Sequence, residues 1–174
     1  MLTTTVWRAV VLLLGLATAA HAQSASVRIV ALGASNTEGF GVSTWEAYPA
    51  RLQELLKARG IDAEVVNAGL SGDTTAGMLA RLDAFLLVGT HLLILQPGGN
   101  DARHAISPAE TAGNIARIKQ LLDEGGIKLI VTDAALFRSV PDTEMQSDGI
   151  HYTPNGYAIL AERLLPRVLA ALGR

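Results

Sequence analysis

Four short apolar segments, each followed by a loop of small or polar residues, constrain the fold of this chain more than any other feature. They span residues 27–32, 63–68, 91–96 and 127–132, and segments with helical spacing of apolar residues separate them. Strands that are apolar on both faces lie inside a sheet covered on both sides, and helical connections make neighbouring strands parallel. The sequence therefore predicts one α/β domain with three layers, α/β/α, in which helices cover both faces of a parallel sheet.

Two helices carry clear signals at their ends. Ser107, Pro108 and Glu110 combine a capping box with a proline at the first helical position, which predicts a helix start there. The last helix is predicted to start after Thr153, and Pro166 inside its apolar pattern is expected to bend or interrupt it.

Loops that follow parallel strands meet at one edge of the sheet, where the ligands of such folds bind. Three of these loops are unusually small and polar, and the fourth is longer and ends just before the last helix. The loops contain the segments Gly33–Asn36, Gly69–Asp73, Gly98–Asp101 and Asp148–His151. We therefore expect these four segments to form one site.

The side chains in these loops match a hydrolytic site, which needs a nucleophile, a base, a group that orients the base, and donors for an oxyanion. Ser35 directly follows the first strand and is the candidate nucleophile. His151 is the candidate base, and Asp148 is the acid that would orient its imidazole. The backbone N–H groups of Ser35 and Gly72 and the side-chain amide of Asn100 are candidate oxyanion donors.

Other interpretations of the same loops stay open. His104 also follows the third strand and competes with His151 as base, and Asp133 competes with Asp148 as acid. Ser35 would otherwise be a turn residue or a helix cap. A nucleotide-binding protein is the rival class, but the chain has no G-x-G-x-x-G sequence after the first strand and no G-x-x-x-x-G-K-[ST] sequence.

The four segments, in this order, resemble the four signature blocks of the SGNH hydrolases, which are also called GDSL esterases and lipases. Within that family the chain is most similar to the bacterial periplasmic group of acyl-CoA thioesterase I, arylesterase and lysophospholipase. The resemblance implies a catalytic triad of Ser35, Asp148 and His151 and an oxyanion hole of Ser35, Gly72 and Asn100. It also implies a small-molecule ester substrate and no metal or organic cofactor.

The chain departs from the family pattern at two places. The first block usually carries an aspartate before the serine, where this chain has Ala34, and we expect this change to tune activity rather than abolish it. Only 47 residues, 101 to 147, separate Asn100 from Asp148, too few for the further helix and strand that are typical of the family. The expected fold is therefore a flavodoxin-like sheet reduced to about four strands in the order 2-1-3-4.

That strand order leaves segment 127–132 as an open edge, which proteins normally protect. We expect Leu136, Phe137 and Val140 to fold back over it, or a second subunit to cover it. The protein is accordingly predicted to be a monomer or a weak homodimer.

The function that the resemblance implies is hydrolysis of short- to medium-chain acyl or aryl esters by a serine esterase, through an acyl-enzyme. A carbohydrate O-acetyl esterase, a lysophospholipase or thioesterase, and an inactive binding protein on the same fold are the alternatives. Phe40, Phe137 and Met145 are candidates for an acyl pocket, and otherwise they close the core beneath the loops. Trp45 stands beside a helix start and is expected to pack in the core.

Residues 1–22 have the pattern of a secretory signal peptide. Arg8 precedes an apolar run of about a dozen residues and then Ala20-His21-Ala22, a small-x-small cleavage site. The run is shorter than the ~20 residues that span a bilayer. We therefore expect a leader at 1–22 and a domain at 23–174 that is periplasmic or secreted, without a stable membrane anchor. The formal charge of −2 and the absence of cysteine predict neither a nucleic-acid-binding surface nor disulfide bonds.

Overall fold

A computed structural model describes residues 26–86, 89–97 and 99–174, so the predicted leader, residues 1–22, lies outside the described residues. The described chain alternates four strands with seven α-helices. In chain order these are β1 (Val27–Gly33), α1 (Ser35–Glu38), α2 (Tyr48–Ala58), β2 (Ala63–Gly69), α3 (Thr75–Ala80), β3 (Thr90–Leu95), α4 (Asn100–Arg103), α5 (Pro108–Glu124), β4 (Lys128–Val131), α6 (Ala134–Arg138) and α7 (Pro154–Leu172).

The four strands form one parallel sheet in the order β2-β1-β3-β4, which confirms the predicted fold class and strand order. The register aligns the strand ends: Gly33 lies opposite Gly69, Leu32 opposite Leu95, and Leu95 opposite Val131. The loops that follow the strands therefore leave the sheet at the same level. The order of connection reverses between β1 and β3, and crevices at such reversals are where ligands bind.

Alternate residues of β1 show why the strand sequences are apolar without interruption. Ile29 and Ala31 pack in one apolar cluster with α2 and α7, whereas Val30 and Leu32 pack in a second cluster with α3 and α5. All four side chains are fully buried. Burial of each larger one contributes about 1.5–3 kcal/mol relative to exposure. The sheet is thus the middle layer of the predicted α/β/α sandwich.

The helix-end signals have different outcomes. The capping box is confirmed: Glu110 N–H donates to Ser107 Oγ at 3.2 Å, and Ser107 N–H donates to the Glu110 carboxylate at 2.9 Å. Helix α7, in contrast, continues through Pro166, so the expected interruption does not occur. Pro166 lies on the exposed face, where water can bond the carbonyl that its missing N–H leaves free. No helix in the described ranges is long and apolar enough to cross a membrane.

Strand β4 is only partly covered, and among the described residues no strand pairs with its outer edge. Leu136 and Val140 are buried in the apolar cluster that contains α7, and Phe137 packs against that cluster. These three side chains therefore join the helical layer beside α7. Val131, at the end of β4, stays 39% exposed.

The end of β2 and helix α1 cross at very close range. A Cβ atom on Gly69 would overlap the backbone nitrogen of Glu38, so the crossing requires glycine at this position. Asn67 reinforces the contact, because its Nδ2 donates to Glu38 O at 3.1 Å and its Oδ1 accepts the Gly69 N–H at 3.0 Å. The crossing fixes α1, and with it Ser35, against the edge of the sheet.

Replacing Gly69 by alanine is expected to lower the free energy of unfolding by about 2 kcal/mol or more, because backbone must move to admit the methyl group. Gly113→Ala is the matched control: Gly113 lies exposed within α5, and a Cβ there meets nothing within 4 Å. The control change should stabilise the protein by about 0.5–1 kcal/mol. Urea unfolding measures both, and equal effects of the two changes would contradict the close crossing.

Candidate active site

Ser35, His151 and Asp148 form one hydrogen-bonded chain at the carboxyl edge of the sheet. His151 Nε2 lies 2.8 Å from Ser35 Oγ, and His151 Nδ1 lies 2.6 Å from Asp148 Oδ2. Both distances are those of direct hydrogen bonds. With the ring proton on Nδ1 donated to the carboxylate, Nε2 is free to accept the proton of the serine hydroxyl. The structure thus brings together the three residues that the sequence proposed as nucleophile, base and acid.

The turn from Asp148 to His151 holds the carboxylate by itself. Asp148 Oδ1 accepts the backbone N–H groups of Ile150 at 2.9 Å and His151 at 3.0 Å. The backbone N–H of His151, the His151 imidazole and the Ile150 N–H together lower the pKa of Asp148 to about 2. Asp148 therefore stays ionised at neutral pH although its side chain is 38% exposed.

Ser35 is the first residue of α1, and the next residue, Asn36, ties this short helix to the histidine loop. Tyr157 Oη donates to Asn36 Oδ1 at 3.2 Å, and Asn36 Nδ2 donates to Ile150 O at 3.4 Å. Burial raises the pKa of Tyr157, so its hydroxyl keeps the proton that it donates. Asn36 and Tyr157 stabilise the alignment of Ser35 with His151, a role that sequence reasoning missed.

A buried amide from the neighbouring strand orders the residues on both sides of Ser35. Gln96, directly after β3, accepts the Ala34 N–H at 3.1 Å and the Thr37 hydroxyl at 3.0 Å through the same Oε1 atom. Ala34 itself offers no polar side chain and is 3% exposed. The serine loop is therefore anchored by Gln96, which has no special pattern in the sequence beyond its place at a strand end.

The candidate oxyanion donors come from two further loops. Gly72 has φ +81°, and a Cβ there would meet nothing within 4 Å, so its left-handed backbone rather than lack of space favours glycine. Asn100 is the first residue of α4, and its Nδ2 donates one of two amide hydrogens to Asp73 O at 2.9 Å. Within the described parts of the chain, the N–H groups of Ser35 and Gly72 donate to no other group.

Arg81 links the ends of β1 and β2 to the loop that carries Gly72. Its Nη2 donates to Gly33 O at 3.1 Å and to Ala68 O at 2.8 Å, and its Nε donates to Asp73 Oδ2 at 2.8 Å. The Asp73 side chain is only 6% exposed. Because Asp73 O also accepts the Asn100 amide, the guanidinium supports both candidate oxyanion loops. Arg81 directly follows α3 and stands between the apolar residues Met78 and Leu82, and this charge within an apolar pattern is the sequence signal that could have indicated its role.

The three candidate pocket residues have different positions. The Phe40 ring lies 4.6 Å, centroid to centroid, from the His151 ring and is 49% exposed. Phe137 lines a cleft of about 500 Å³ beyond β3 and β4, together with Gln96 and Arg138. Met145 instead packs against the core cluster that contains α7. Phe40 is therefore the candidate that contacts the proposed base, whereas Phe137, like Met145, also packs against the core cluster.

The prediction that Trp45 packs in the core is wrong, because its side chain is 66% exposed. The loop between α1 and α2 turns at Gly39 and Gly41, both with positive φ. Ala47, not Trp45, is fully buried in this loop, and its side chain packs closely against Gly39. The tryptophan is thereby left on the surface of the loop.

His104 and Asp133, the alternative candidates for base and acid, form hydrogen bonds outside the Ser35–His151–Asp148 chain. His104 is an exposed residue at the end of α4, where its N–H donates to Asn100 O at 3.0 Å. Asp133 caps α6 through Leu136 N–H at 2.8 Å and accepts from Arg167 at 3.2 Å. In the part of the chain that the structure describes, no three histidine, aspartate or glutamate side chains gather as metal ligands would.

Residues 31–142 match the model of the GDSL-like Lipase/Acylhydrolase family. The chain belongs to this family. The resemblance predicted from the four sequence blocks is therefore confirmed. The matched region ends before Asp148 and His151, so the placement of these two residues in the site rests on the geometry described above.

One curated relative and two solved structures agree with this assignment. The chain is 36% identical over 110 residues to the Esterase TesA of Pseudomonas aeruginosa, and this match covers 63% of this chain and 55% of that relative. A solved structure of TesA superposes with a TM-score of 0.76 at 28% identity, covering 83% of this chain and 99% of that one. The structure of AlinE4, an SGNH-hydrolase family esterase, gives a TM-score of 0.63 at 30% identity, covering 84% and 97%. In sequence, the chain matches about half the length of the first of these relatives.

Replacing Arg81 by methionine is expected to lower the free energy of unfolding by about 3 kcal/mol, because the buried Asp73 carboxylate loses its charged partner. Arg167→Met is the matched control, since the pair of Arg167 with Asp133 is exposed on both sides. The control should change stability by less than about 1 kcal/mol. Urea unfolding of both variants tests the difference, and a loss for Arg81→Met no larger than for the control would refute the linking role.

Proposed function

We propose that the protein is a serine esterase that hydrolyses carboxylic esters of short to medium acyl groups through an acyl-enzyme. The observation that carries the proposal is the continuous hydrogen-bonded chain from Ser35 Oγ through the His151 ring to Asp148. The family and the esterases to which the chain is similar support the same reaction class.

In the acylation step, Ser35 Oγ attacks the ester carbonyl carbon while His151 Nε2 takes the hydroxyl proton. The imidazolium that forms is stabilised by Asp148, whose low pKa keeps it ionised throughout. Negative charge develops on the carbonyl oxygen, and the N–H groups of Ser35 and Gly72 and the Asn100 amide stabilise it. The C–O bond to the leaving group then breaks, and the alcohol departs with the proton from Nε2.

In the deacylation step, water takes the place of the alcohol. His151 Nε2 accepts a proton from the water as its oxygen attacks the acyl carbon, and the same donors stabilise the second oxyanion. Ser35 Oγ leaves, regains the proton from Nε2, and the carboxylic acid is released. The triad and donors thus return to their starting protonation states.

The preference for short to medium acyl groups is supported by the shape of the site. Ser35 lies at the rim of the sheet, and the neighbouring cleft beyond β3 and β4 is open, with Phe137 on one wall and Arg138 beside it. Connections around the site are short: β4 leads through α6 directly to the turn at Asp148. Such a site offers limited apolar depth for a long acyl chain.

The protein is further proposed to act outside the cytoplasm, in the periplasm or secreted, on the strength of the leader pattern at residues 1–22. It is proposed to be a monomer or a weak homodimer, because the outer edge of β4 is partly exposed. A molar mass that rises with concentration in light scattering supports the dimer, and a constant monomer mass excludes it.

The triad is tested by hydrolysis of p-nitrophenyl acetate, butyrate and octanoate. Ser35→Ala and His151→Ala are each expected to lower kcat by about 10³-fold or more, because each removes a group that acts in the same step. His104→Ala, the matched control for the competing histidine, should retain kcat within about twofold. A folded wild-type protein no faster than Ser35→Ala would overturn the proposed function and favour a binding protein.

The low pKa of Asp148 makes a prediction for the pH dependence of kcat/KM. Because this pKa lies near 2, the carboxylate keeps its charge and contributes no ionisation above about pH 3. Initial rates with p-nitrophenyl acetate between pH 4 and 8 measure the fall of kcat/KM on the acid side. A fall of about two log units per pH unit would show a second ionising group and contradict the low pKa of Asp148.

A further inference from the structure

The large apolar side chains that the described structure exposes are concentrated at one end of the molecule. Phe40, Trp45, Leu70 and Ile150 are 49%, 66%, 52% and 42% exposed, and we call these four residues the apolar rim. Two of them lie in the loop between α1 and α2, one lies in the loop that follows β2, and one lies in the loop that precedes α7. Keeping such side chains in water costs about 25 cal/mol for each Å² of apolar surface, so their grouping calls for an explanation.

Three of the four rim residues adjoin the candidate site through their own contacts or through their neighbours in the chain. Phe40 contacts the His151 ring, and Ile150 precedes His151 and accepts the Asn36 amide through its carbonyl. Leu70 follows β2, and its N–H donates to Gly33 O, two residues before Ser35, at 3.0 Å. Trp45 lies in the same loop as Phe40. A surface that covers Phe40 and Ile150 therefore lies against the loop that carries the candidate base.

The loop that carries Phe40 and Trp45 is held in place rather than loose. Gln146 Nε2 donates to Phe40 O at 2.8 Å and to Tyr152 O at 2.7 Å, which joins this loop to the histidine loop. A Cβ on Gly41 would overlap the Gln146 side chain, so the turn packs closely on it. Glu46 accepts the Ser43 N–H at 3.0 Å on the other side of Trp45. The exposed tryptophan is thus presented by an ordered loop.

The position of the rim selects among possible occupants. A protein partner or a second copy seated over all four side chains would cover Phe40 and the His151 ring that Phe40 contacts. A lipid surface would instead bury the side chains and supply ester carbonyls to the serine at the same time. Tryptophan and phenylalanine are also the side chains that pack well at the boundary between lipid and water.

The charge of the rim loops selects among lipid surfaces. Segments 35–47, 69–74 and 139–153 contain no lysine or arginine, whereas each contains at least one aspartate or glutamate. Acidic side chains such as Glu46 are repelled by anionic headgroups, which basic segments would attract. A zwitterionic surface carries no such penalty.

We propose that the apolar rim binds the surface of a zwitterionic lipid aggregate and presents Ser35 to esters dissolved in it. The inference rests on the proposed esterase function, and it concerns the surface at which the protein binds its substrate. Esters free in water then reach the site without using the rim, and esters held in a lipid surface depend on it.

Kinetics with two substrates tests this dependence. Trp45→Ser should lower the hydrolysis of p-nitrophenyl octanoate held in phosphatidylcholine vesicles by about tenfold, the order expected from losing burial of one large apolar side chain. Hydrolysis of dissolved p-nitrophenyl acetate by the same variant should stay within about twofold. Val131→Ser, which also removes an exposed apolar side chain but lies outside the rim, is the matched control and should leave both rates unchanged. Equal loss with both substrates, or no loss with either, overturns the proposal.

Fluorescence provides a readout that does not depend on catalysis. The chain has two tryptophans, so the difference between the emission of wild type and of Trp45→Phe isolates Trp45. Phosphatidylcholine vesicles should shift this emission to the blue, and vesicles rich in phosphatidylglycerol should shift it less. No shift, or a larger shift with the anionic vesicles, overturns the proposal. A blue shift that appears with rising protein concentration without lipid overturns it in favour of a second copy.

The two proposals can fail separately. If Ser35→Ala leaves the hydrolysis of p-nitrophenyl acetate unchanged, the esterase proposal fails whatever Trp45 does. If Ser35→Ala abolishes that hydrolysis while Trp45 shows no response to vesicles, the esterase proposal stands and lipid binding by the rim is excluded.

Discussion

Backbone N–H and C=O groups at the ends of parallel strands need hydrogen-bond partners where the sheet ends. The arrangement of the candidate site depends on which side chains supply these partners. The carbonyls of Gly33 and Ala68 accept from Arg81, and the N–H of Ala34 donates to Gln96. These partners are side chains from neighbouring elements. The bonds that satisfy the strand ends therefore also fix the loops that carry the candidate nucleophile and the candidate oxyanion donors.

The site combines one local unit with one long-range alignment. Asp148 and His151 are held within a single turn by bonds to the turn's own backbone, so their pairing needs little help from the rest of the fold. Ser35 lies 116 residues from His151 in sequence. Only the packing of α1 and α7 against the sheet brings the two together, with Asn36 and Tyr157 bonded between them. The alignment of Ser35 with His151 thus depends on tertiary structure, whereas the pairing of Asp148 with His151 depends on local sequence.

Much of the fold could be predicted because the deciding signals are short-range. Uninterrupted apolar strands, glycine-closed loops and the capping box at Ser107 each depend on a few consecutive residues. The four-strand order was predicted from the family resemblance together with the short segment before Asp148. Gln96 and Arg81 escaped prediction because their roles depend on partners from other strands. Trp45 was misjudged because the local pattern cannot show that Ala47 is the residue of this loop that is buried in the core. Pro166 does not interrupt α7, and it lies on a helix face that is open to water.

The connection from β4 through α6 to Asp148 contains no further strand, so the outer edge of β4 lies apart from the candidate site residue Ser35, which follows β1. All four loops that form the site are in place with β4 as the last strand, and the outer edge of β4 is unpaired within the described structure. A helix and strand inserted between Arg138 and Asp142 would extend the sheet at that edge and leave the register of β1, β2 and β3 untouched. The sheet could therefore lengthen at β4 without a change in the strand β1 that precedes Ser35.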